Sequence, residues 1–504
     1  MAPDPPTKEL RVPNLADNLT ASVHRSPGAI ALRQDDQTLT FAELDGACAA
    51  FAGYLAQRGI GAGDRVALSL PNIPAFAIVY YGALRVGAIV VPMNPLFKPR
   101  EVTYYLQDSE ASLLVGMAGD AAAGAAEAGI DFVDVAGLGH LLEDAEPHPD
   151  VVERDGADTA VLLYTSGTTG RPKGAELTHA NLQTNQEVSG RTLLGATEGD
   201  VIMGCLPLFH VFGMTCALNV AIASGGTLTL IPRFDPVKAL EVIQRDGVTT
   251  FEGVPTMYGA ILAADAAQGK TAQLPSLRTC VSGGASMPLE LMRGFEQRFD
   301  CIILEGYGLS ETSPVASFNH PDKERKAGTI GTPIEGVRMR CVDPAGHDVA
   351  PGEVGEIVIA GDNIMRGYWN RPEATAEAIR DGWFHSGDLG RIDEHGYFSI
   401  VDRTKDLIIR GGFNVYPREV EEVLYEHPAI AEAAVVGVPH EHYGEDVCAY
   451  VVLKPEAQAT PEEIQAFTKE RVAAYKYPRT VRIIEALPKG ATGKILKREL
   501  PRDV

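Results

Sequence analysis

The segment Y-T-S-G-T-T-G-R-P-K-G, residues 164–174, concentrates residue types that hold phosphate. Thr165, Ser166, Thr168 and Thr169 offer hydroxyl donors, Gly167, Gly170 and Gly174 permit close backbone approach, and Lys173 brings a positive charge. The segment follows the apolar run A-V-L-L, so a glycine- and hydroxyl-rich loop leaves the end of a strand, an arrangement that can cradle a polyphosphate. Pro172 stands where a Walker A loop requires glycine, which excludes that motif. A solvated hairpin loop is the plainer alternative. Four hydroxyls, three glycines and a lysine in eleven residues speak against it.

Three further segments carry weaker signals. In E-G-Y-G-L-S-E-T (305–312), Gly306 and Gly308 suit a tight turn, Tyr307 offers a stacking face and Ser310 a hydroxyl. Glu311 supplies a carboxylate for a hard cation such as magnesium. A turn with capping residues explains this segment equally well when it stands alone. In S-G-D-L-G (386–390), Asp388 can accept from two ribose hydroxyls, with Arg403 of V-D-R-T-K-D (401–406) in support. Taken singly, Asp388 reads more simply as a turn aspartate. The basic tail P-K-G-A-T-G-K-I-L-K-R-E-L (488–500) sets Lys494 behind Gly493, where a solvated terminal charge is the default reading. There is no G-x-S-x-G elbow, so no serine nucleophile of that kind is expected. The run His440-Glu441-His442 falls in an expected loop after Gly437-Val438-Pro439, and a metal site there is not favoured.

Over residues 1–400 the elements that must position these loops alternate short β-branched runs with longer helical patterns. R-V-A-L-S-L (65–70) reads as a strand, the alanine-bearing stretch near 75–86 as a helix and A-I-V-V-P (88–92) as a strand. Residues 201–300 repeat the pattern, which predicts mostly parallel sheets with helices on their faces. The Ala/Gly-rich segment 117–150 reads as surface helix and loop. Beyond the polar run 402–406, Pro417 opens a helix with Val420, Val423 and Leu424 on its apolar stripe, and Pro428 ends it. Strands at 433–438, 447–453 and 481–484 and a helix from Pro461 complete a small unit. The expected fold is α/β: a large N-terminal domain, 1–402, with mostly parallel helix-flanked sheets, a short hinge at 402–406 and a small α+β C-terminal domain, 403–504.

Composition bounds the function. With 45% hydrophobic and 22% charged residues, the 504-residue chain can bury large cores. Sixty-seven acidic against 44 basic residues give a net charge of −23, which disfavours broad binding to nucleic acid or anionic membranes. Seven scattered cysteines without a C-x-x-C pair argue against a disulfide framework and point to a reduced, cytoplasmic protein. No apolar signal segment opens the chain. The uncharged run 211–231 is long enough to span a membrane, but Gly213, Asn219 and the Ser224-Gly225-Gly226 turn read better as a buried helix followed by a buried strand.

Taken in order, these segments resemble the adenylate-forming superfamily of acyl- and aryl-CoA synthetases, amino-acid adenylation domains and beetle luciferases. The resemblance runs from F-A-E-L (41–44) to K-R-E-L (497–500). G-Y-G-L-S-E-T-S-P-V, D-G-W-F-H-S-G-D-L-G and L-I-I-R-G-G-F-N-V-Y-P-R-E-V-E look most like bacterial fatty-acyl-CoA ligases. The resemblance implies that Thr165 to Lys173 form the phosphate loop, and that Gly283, Gly284 and Ala285 line the acyl and adenine sites. It implies that Glu305, Gly306 and Tyr307 frame the adenine, that Ser310 touches the α-phosphate, and that Glu311, with Thr165, binds magnesium. Asp388 would hold the ribose beside Arg403, Lys405 would be the hinge and Lys494 the catalytic lysine of adenylation. His210, in P-L-F-H-V-F-G, matches the gate between acyl pocket and ATP, although a buried histidine at a helix start is its bland alternative. Two positions depart from the family pattern. Ser310 stands where threonine is commoner, and Gly411 where aryl-CoA ligases often carry a lysine.

The implied reaction takes a carboxylic acid, ATP and coenzyme A. Attack of the carboxylate on the α-phosphate expels pyrophosphate and leaves an acyl-adenylate, from which the thiol displaces AMP. Charge stabilisation dominates the first step, which suits lysine, magnesium and backbone donors. Gly283, Gly308, Pro314 and Val315 would leave room for an apolar tail, and nothing among them pairs a second carboxylate. Medium- or long-chain fatty acids are therefore expected, with a coumarate-like aryl acid as the alternative. An enzyme that loads a separate carrier protein and a non-catalytic nucleotide-binding regulator are the competing classes; retention of Lys494, Glu311 and Asp388 counts against the regulator.

Overall fold

The computed structural model describes residues 14–165, 171–403, 406–455 and 457–503. The chain divides into two compact units. One comprises Met1–Arg233, Ser310–Pro314 and Asp362–Ala376; the other comprises Phe234–Leu309, Val315–Gly361 and Glu377–Val504.

In the first unit, a seven-stranded sheet runs in the order Gly367–Tyr368, Lys173–Thr178, Thr159–Thr165, Ile89–Pro92, Arg65–Ser69, Leu113–Gly116 and Asp131–Asp134. Its five middle-to-far strands pair in parallel, while Lys173–Thr178 returns antiparallel to Thr159–Thr165. The central strands Arg65–Ser69, Ile89–Pro92 and Leu113–Gly116 are buried at every position except Arg65, as parallel strands flanked by helices are. Pro74 opens the helix Pro74–Arg85 without loss of a needed N–H, and ten of its twelve residues are buried. Thr40 and Glu43 close a capping box at the head of the helix Phe41–Gln57. The segment 117–150 carries, besides helices, the strand Asp131–Asp134, which extends the sheet through parallel pairing with Leu113–Gly116. Its short D-F-V-D pattern, with only Val133 buried, is too brief to stand out as a strand. The apolar run 211–231 forms helical turns over 211–224, of which Gly213–Asn219 are π-helical, and then the strand Thr227–Leu230. Among the described residues no helix is long and apolar enough to cross a membrane.

In the second unit, Thr250–Gly253, Thr279–Ser282 and Ile302–Gly308 pair in parallel, and Val315–Phe318 and Thr332–Pro333 continue antiparallel. Between residues 337 and 403 the expected helix alternation gives way to an antiparallel sheet built on Val337–Val342, Gly355–Gly361, Trp383–Ile392 and Phe398–Arg403. The C-terminal sheet joins Phe413–Val415, Ile408–Arg410, Gly444–Leu453 and Ile430–His440, with Thr480–Ile483 parallel to Gly444–Leu453. The helices Pro417–Tyr425 and Pro461–Lys469 bury Val420, Leu424 and Ile464 against Val435, Val447, Ala449 and Val451. The strand Ile430–His440 runs longer than its sequence pattern suggests and takes in His440.

The polar run at 402–406 begins with an anchored residue. Asp402 is buried; its carboxylate accepts from the backbone N–H groups of Arg403 and Arg418, at 2.8 and 3.1 Å. It therefore supplies donors' partners at the head of the helix Pro417–Tyr425. Residues 404 and 405, including the expected hinge Lys405, lie outside the described residues.

Candidate active site

The phosphate-loop segment is the connection of a β-hairpin, with Thr165 paired opposite Lys173. Ser166, Gly167, Thr168, Thr169 and Gly170 lie outside the described residues. Both roots of the loop are fixed by aromatic residues. Tyr164 donates to Asp108 at 2.8 Å and lies against Tyr105, with ring centroids 4.4 Å apart. Tyr104 donates to the Pro172 carbonyl at 2.7 Å, and the Arg171 guanidinium sits over the Tyr104 ring. Arg371 pairs with the same Asp108 carboxylate. Burial, ahead of the Asp108 charge, pushes the Tyr164 phenol up, so it remains a donor.

Glu311 sits in a single 3₁₀ turn, Ser310–Thr312, and is 8% exposed. Its backbone carbonyl accepts from Met365 N–H at 2.9 Å, and its Oε1 accepts from the Tyr368 hydroxyl at 2.9 Å. Tyr368 in turn lies under Lys173, whose Nζ is 5.2 Å from the ring centroid. Thus Tyr368 joins the lysine at the loop's end to the carboxylate expected to hold the metal. Burial and the Glu311 charge raise the Tyr368 phenol, which keeps it protonated. Sequence reasoning missed Tyr368, because it lies 57 residues from Glu311 and nothing in R-G-Y-W-N sets its hydroxyl apart. Its link to the site is the pairing of Gly367–Tyr368 with Ala175–Glu176 at the sheet edge.

His210 is half-buried just before the helical turns that begin at 211, so the structure places it at a helix start. Its loop is held by Asn72, also missed from sequence. Asn72 donates to the Gly204 and Leu206 carbonyls, at 3.0 and 2.8 Å, and accepts from Leu208 N–H at 2.9 Å. Pro314 is buried in this unit.

In the second unit, Gly283, Gly284 and Ala285 follow the strand Thr279–Ser282; Gly283 is buried while Gly284 and Ala285 are exposed. Glu305 and Gly306 are buried on the adjacent strand. A Cβ at Gly306 would meet the Phe318 ring at 2.1 Å, so only glycine fits there. Burial pushes Glu305 up to about 7, opposed by the Arg418 charge and the Met287 N–H that its Oε1 accepts at 3.0 Å. Gly308 is half-buried and Val315 buried.

Asp388 lies within the strand Trp383–Ile392, opposite Arg403, and not in a turn. It is 5% exposed. The Tyr307 hydroxyl donates to its Oδ2 at 2.6 Å, and Arg403 Nε approaches Oδ1 at 3.1 Å. A carboxylate so oriented keeps lone pairs for further donors, as a ribose diol requires. Burial, then the Asp388 charge, holds the Tyr307 phenol well above its ordinary value. Lys494 follows Gly493 in a tight loop closed by Gly490 N–H to the Lys494 carbonyl at 2.9 Å and Leu496 N–H to the Pro488 carbonyl at 2.8 Å.

The first unit thus carries the hairpin root and the strapped Glu311, and the second, by itself, the Tyr307–Asp388–Arg403 group, in a chain of α/β architecture. The family model of AMP-binding enzymes matches residues 19–369, and that of the AMP-binding enzyme C-terminal domain matches residues 419–494; the chain belongs to this family. It is 39% identical over 535 aligned residues to a long-chain-fatty-acid–CoA ligase of Bacillus subtilis, covering 98% of this chain and 95% of that one. It is 41% identical over 479 residues to a feruloyl-CoA synthase of Amycolatopsis, covering 95% and 96%. Among solved structures, ATP-bound MatB from Rhodopseudomonas palustris superposes with a TM-score of 0.89 at 33% identity, over 96% of this chain and 97% of that one. The anthranilate CoA ligase AuaEII in complex with anthranoyl-AMP gives a TM-score of 0.91 at 29% identity, over 96% of each chain.

Proposed function

We propose that this protein is an ATP-dependent acyl-CoA ligase whose preferred acid is a medium- or long-chain fatty acid. Family membership makes adenylation of a carboxylate the chemistry to explain, and the strapping of Glu311 to Lys173 through Tyr368 is the observation that carries it to this chain. Thr165 through Lys173 bind the phosphates, Ser310 approaches the α-phosphate, and Asp388 with Arg403 holds the ribose. Glu305, Gly306 and Tyr307, with Gly284 and Ala285, hold the adenine. Lys494 stabilises charge as the carboxylate attacks phosphorus, and His210 gates the acyl pocket lined by Gly283, Gly308, Pro314 and Val315.

Magnesium fits the donor set. Glu311 is a buried hard-oxygen ligand with one oxygen oriented by Tyr368, Thr165 adds a hydroxyl, and this ion commonly takes only one or two carboxylates beside substrate phosphates. When bound it would neutralise phosphate charge. The chain's own residues orient the nucleotide and hold the lysine near the developing charge.

In this reading residues 1–402 form the acyl and nucleotide domain and 403–504 a mobile domain that turns about Lys405 between adenylation and thioester formation. The enzyme is cytoplasmic, and coenzyme A is the acceptor. The identity to a feruloyl-CoA synthase favours an aryl acid as the second reading. A panel of acids, scored by pyrophosphate release with and without coenzyme A, separates them. Under the first reading, specificity rises from acetate toward longer chains by up to ~0.8 kcal/mol per buried methylene. A flat profile, or preference for ferulate, coumarate or malonate, overturns it.

A further inference from the structure

The loop that carries Lys494 is closed by hydrogen bonds of its own, and it meets the rest of its unit through the Lys489–Glu432 ion pair and through a side-chain hydrogen bond to its backbone at Gly493. Gly493 N–H donates to the Gly490 carbonyl at 2.9 Å, and Lys489 bridges to Ile495, so the loop is closed on itself. The Gly493 carbonyl then accepts from the Thr256 hydroxyl at 3.0 Å, across 237 residues of sequence. Thr256 sits in the first turn of the helix Pro255–Ala267, just beyond the strand Thr250–Gly253. The fit around the bond is close. A Cβ at Gly493, whose φ is +79°, would lie 3.0 Å from Val254 Cγ2 and 3.1 Å from Thr256 Oγ1. The other Val254 methyl faces Gly284, 3.5 Å from where a Cβ there would stand. Val254 and Thr256 thus seat the residue before Lys494 next to the Gly283–Gly284 turn.

We infer that Thr256 is a positioning residue for the adenylation half-reaction: its hydroxyl holds the Gly493 carbonyl and thereby sets Lys494, and the bond must break when the lysine withdraws. This rests on the reading of Lys494 as the adenylation lysine. A single neutral hydrogen bond of this kind is weak enough to release on each turnover and strong enough to bias the loop. Glycine at 493 is required twice, by its positive φ and by the absence of room for a side chain.

Thr256→Val keeps the shape and removes the donor, while Thr256→Ser keeps the donor. ATP-dependent adenylate formation in Thr256→Val should fall about five- to tenfold. Thioester formation from supplied acyl-adenylate and coenzyme A should hold or rise, and Thr256→Ser should restore the first rate. Trypsin cleavage after Lys494 in the folded protein should quicken in the valine variant, a readout independent of activity. In a Lys494→Ala background the valine substitution should slow adenylation no further, because both act through one group. Equal slowing of both half-reactions, or unchanged adenylation and proteolysis, overturns the latch while leaving Lys494 its role. Wild-type adenylation by Lys494→Ala instead removes that role, and the latch with it. Should the valine variant not fold, Thr256→Ala removes the same donor and is read by the same criteria.

Discussion

Tyr368→Phe isolates one atom of the candidate site. The phenylalanine ring still lies under Lys173, at 5.2 Å in the parent, and packs as before, but the 2.9 Å hydrogen bond to Glu311 Oε1 is gone. Because Glu311 is 8% exposed, water replaces that donor poorly. A hydrogen bond to a charged group is worth about 1.5–3 kcal/mol, which corresponds to a factor of about 10–150. The loss should appear where the carboxylate's orientation matters, as weaker use of magnesium and a slower first step. Carboxylate-dependent exchange of pyrophosphate into ATP, titrated with magnesium at saturating ATP, measures it. The magnesium concentration for half-maximal exchange should rise about tenfold or more, with unchanged circular dichroism. Tyr368→Leu should add a smaller loss in ATP affinity, about 0.5–1 kcal/mol, as the cation–π contact disappears. If Tyr368→Phe exchanges pyrophosphate with wild-type magnesium dependence and rate, Glu311 is not positioned through Tyr368 and the assignment of the metal carboxylate loses its structural support.

Replacing Lys494 by alanine should slow adenylate formation by a factor of ~100 or more, by analogy with loss of one oxyanion donor, while supplied adenylate still reaches thioester; single-turnover assays of each half-reaction check it. Lys405→Pro should trap one arrangement of the C-terminal domain, since proline restricts φ and also Thr404 before it; adenylation should persist and thioester formation fall at least tenfold in a protein folded by circular dichroism. Glu305 ionises near pH 7 in the folded chain and near 4.5 unfolded. From this group alone, stability is unaffected below pH 4.5, falls as pH rises toward 7 and is then constant, so Glu305→Gln should flatten urea-unfolding profiles and gain up to about 3 kcal/mol relative to the parent at pH 8. Asn72→Ala leaves the Leu206 carbonyl and the Leu208 N–H without this partner, while the Gly204 carbonyl keeps the Ile231 N–H; the change should cost about 2–4 kcal/mol in urea unfolding and loosen the His210 loop.

Local chemistry was legible in the sequence wherever it is contiguous. The strand ending at Thr165, the glycines and hydroxyls after it, the strand running into Gly306 and Tyr307, and the Pro417 helix with Val420 and Leu424 inside all follow from residue types and spacing within one short window. Burial on both faces explains why Arg65–Ser69 and Ile89–Pro92 announce themselves as parallel strands. The antiparallel sheet over 337–403 was not anticipated, because its strands Val337–Val342 and Trp383–Ile392 mix buried and exposed positions without a simple run. Asp388 read as a turn residue for the same reason, since Ser386-Gly387 mimics a turn inside a strand whose pairing with Arg403 cannot be seen locally.

Tertiary structure alone decided which distant residues share a site. Nothing in R-G-Y-W-N says that Tyr368 reaches Glu311 and Lys173; that depends on an edge pairing between Gly367–Tyr368 and Ala175–Glu176. Nothing near Asn72 foretells its three bonds to the 204–208 loop, and nothing near Thr256 foretells Gly493. The physical reason is range. Propensity, capping and hydrophobic period act within a few residues along the chain, so the sequence by itself determines which loops carry phosphate-binding residue types and which segments become strands. Hydrogen bonds and charge contacts act over a few ångströms in space, and only the packed sheets bring their partners that close.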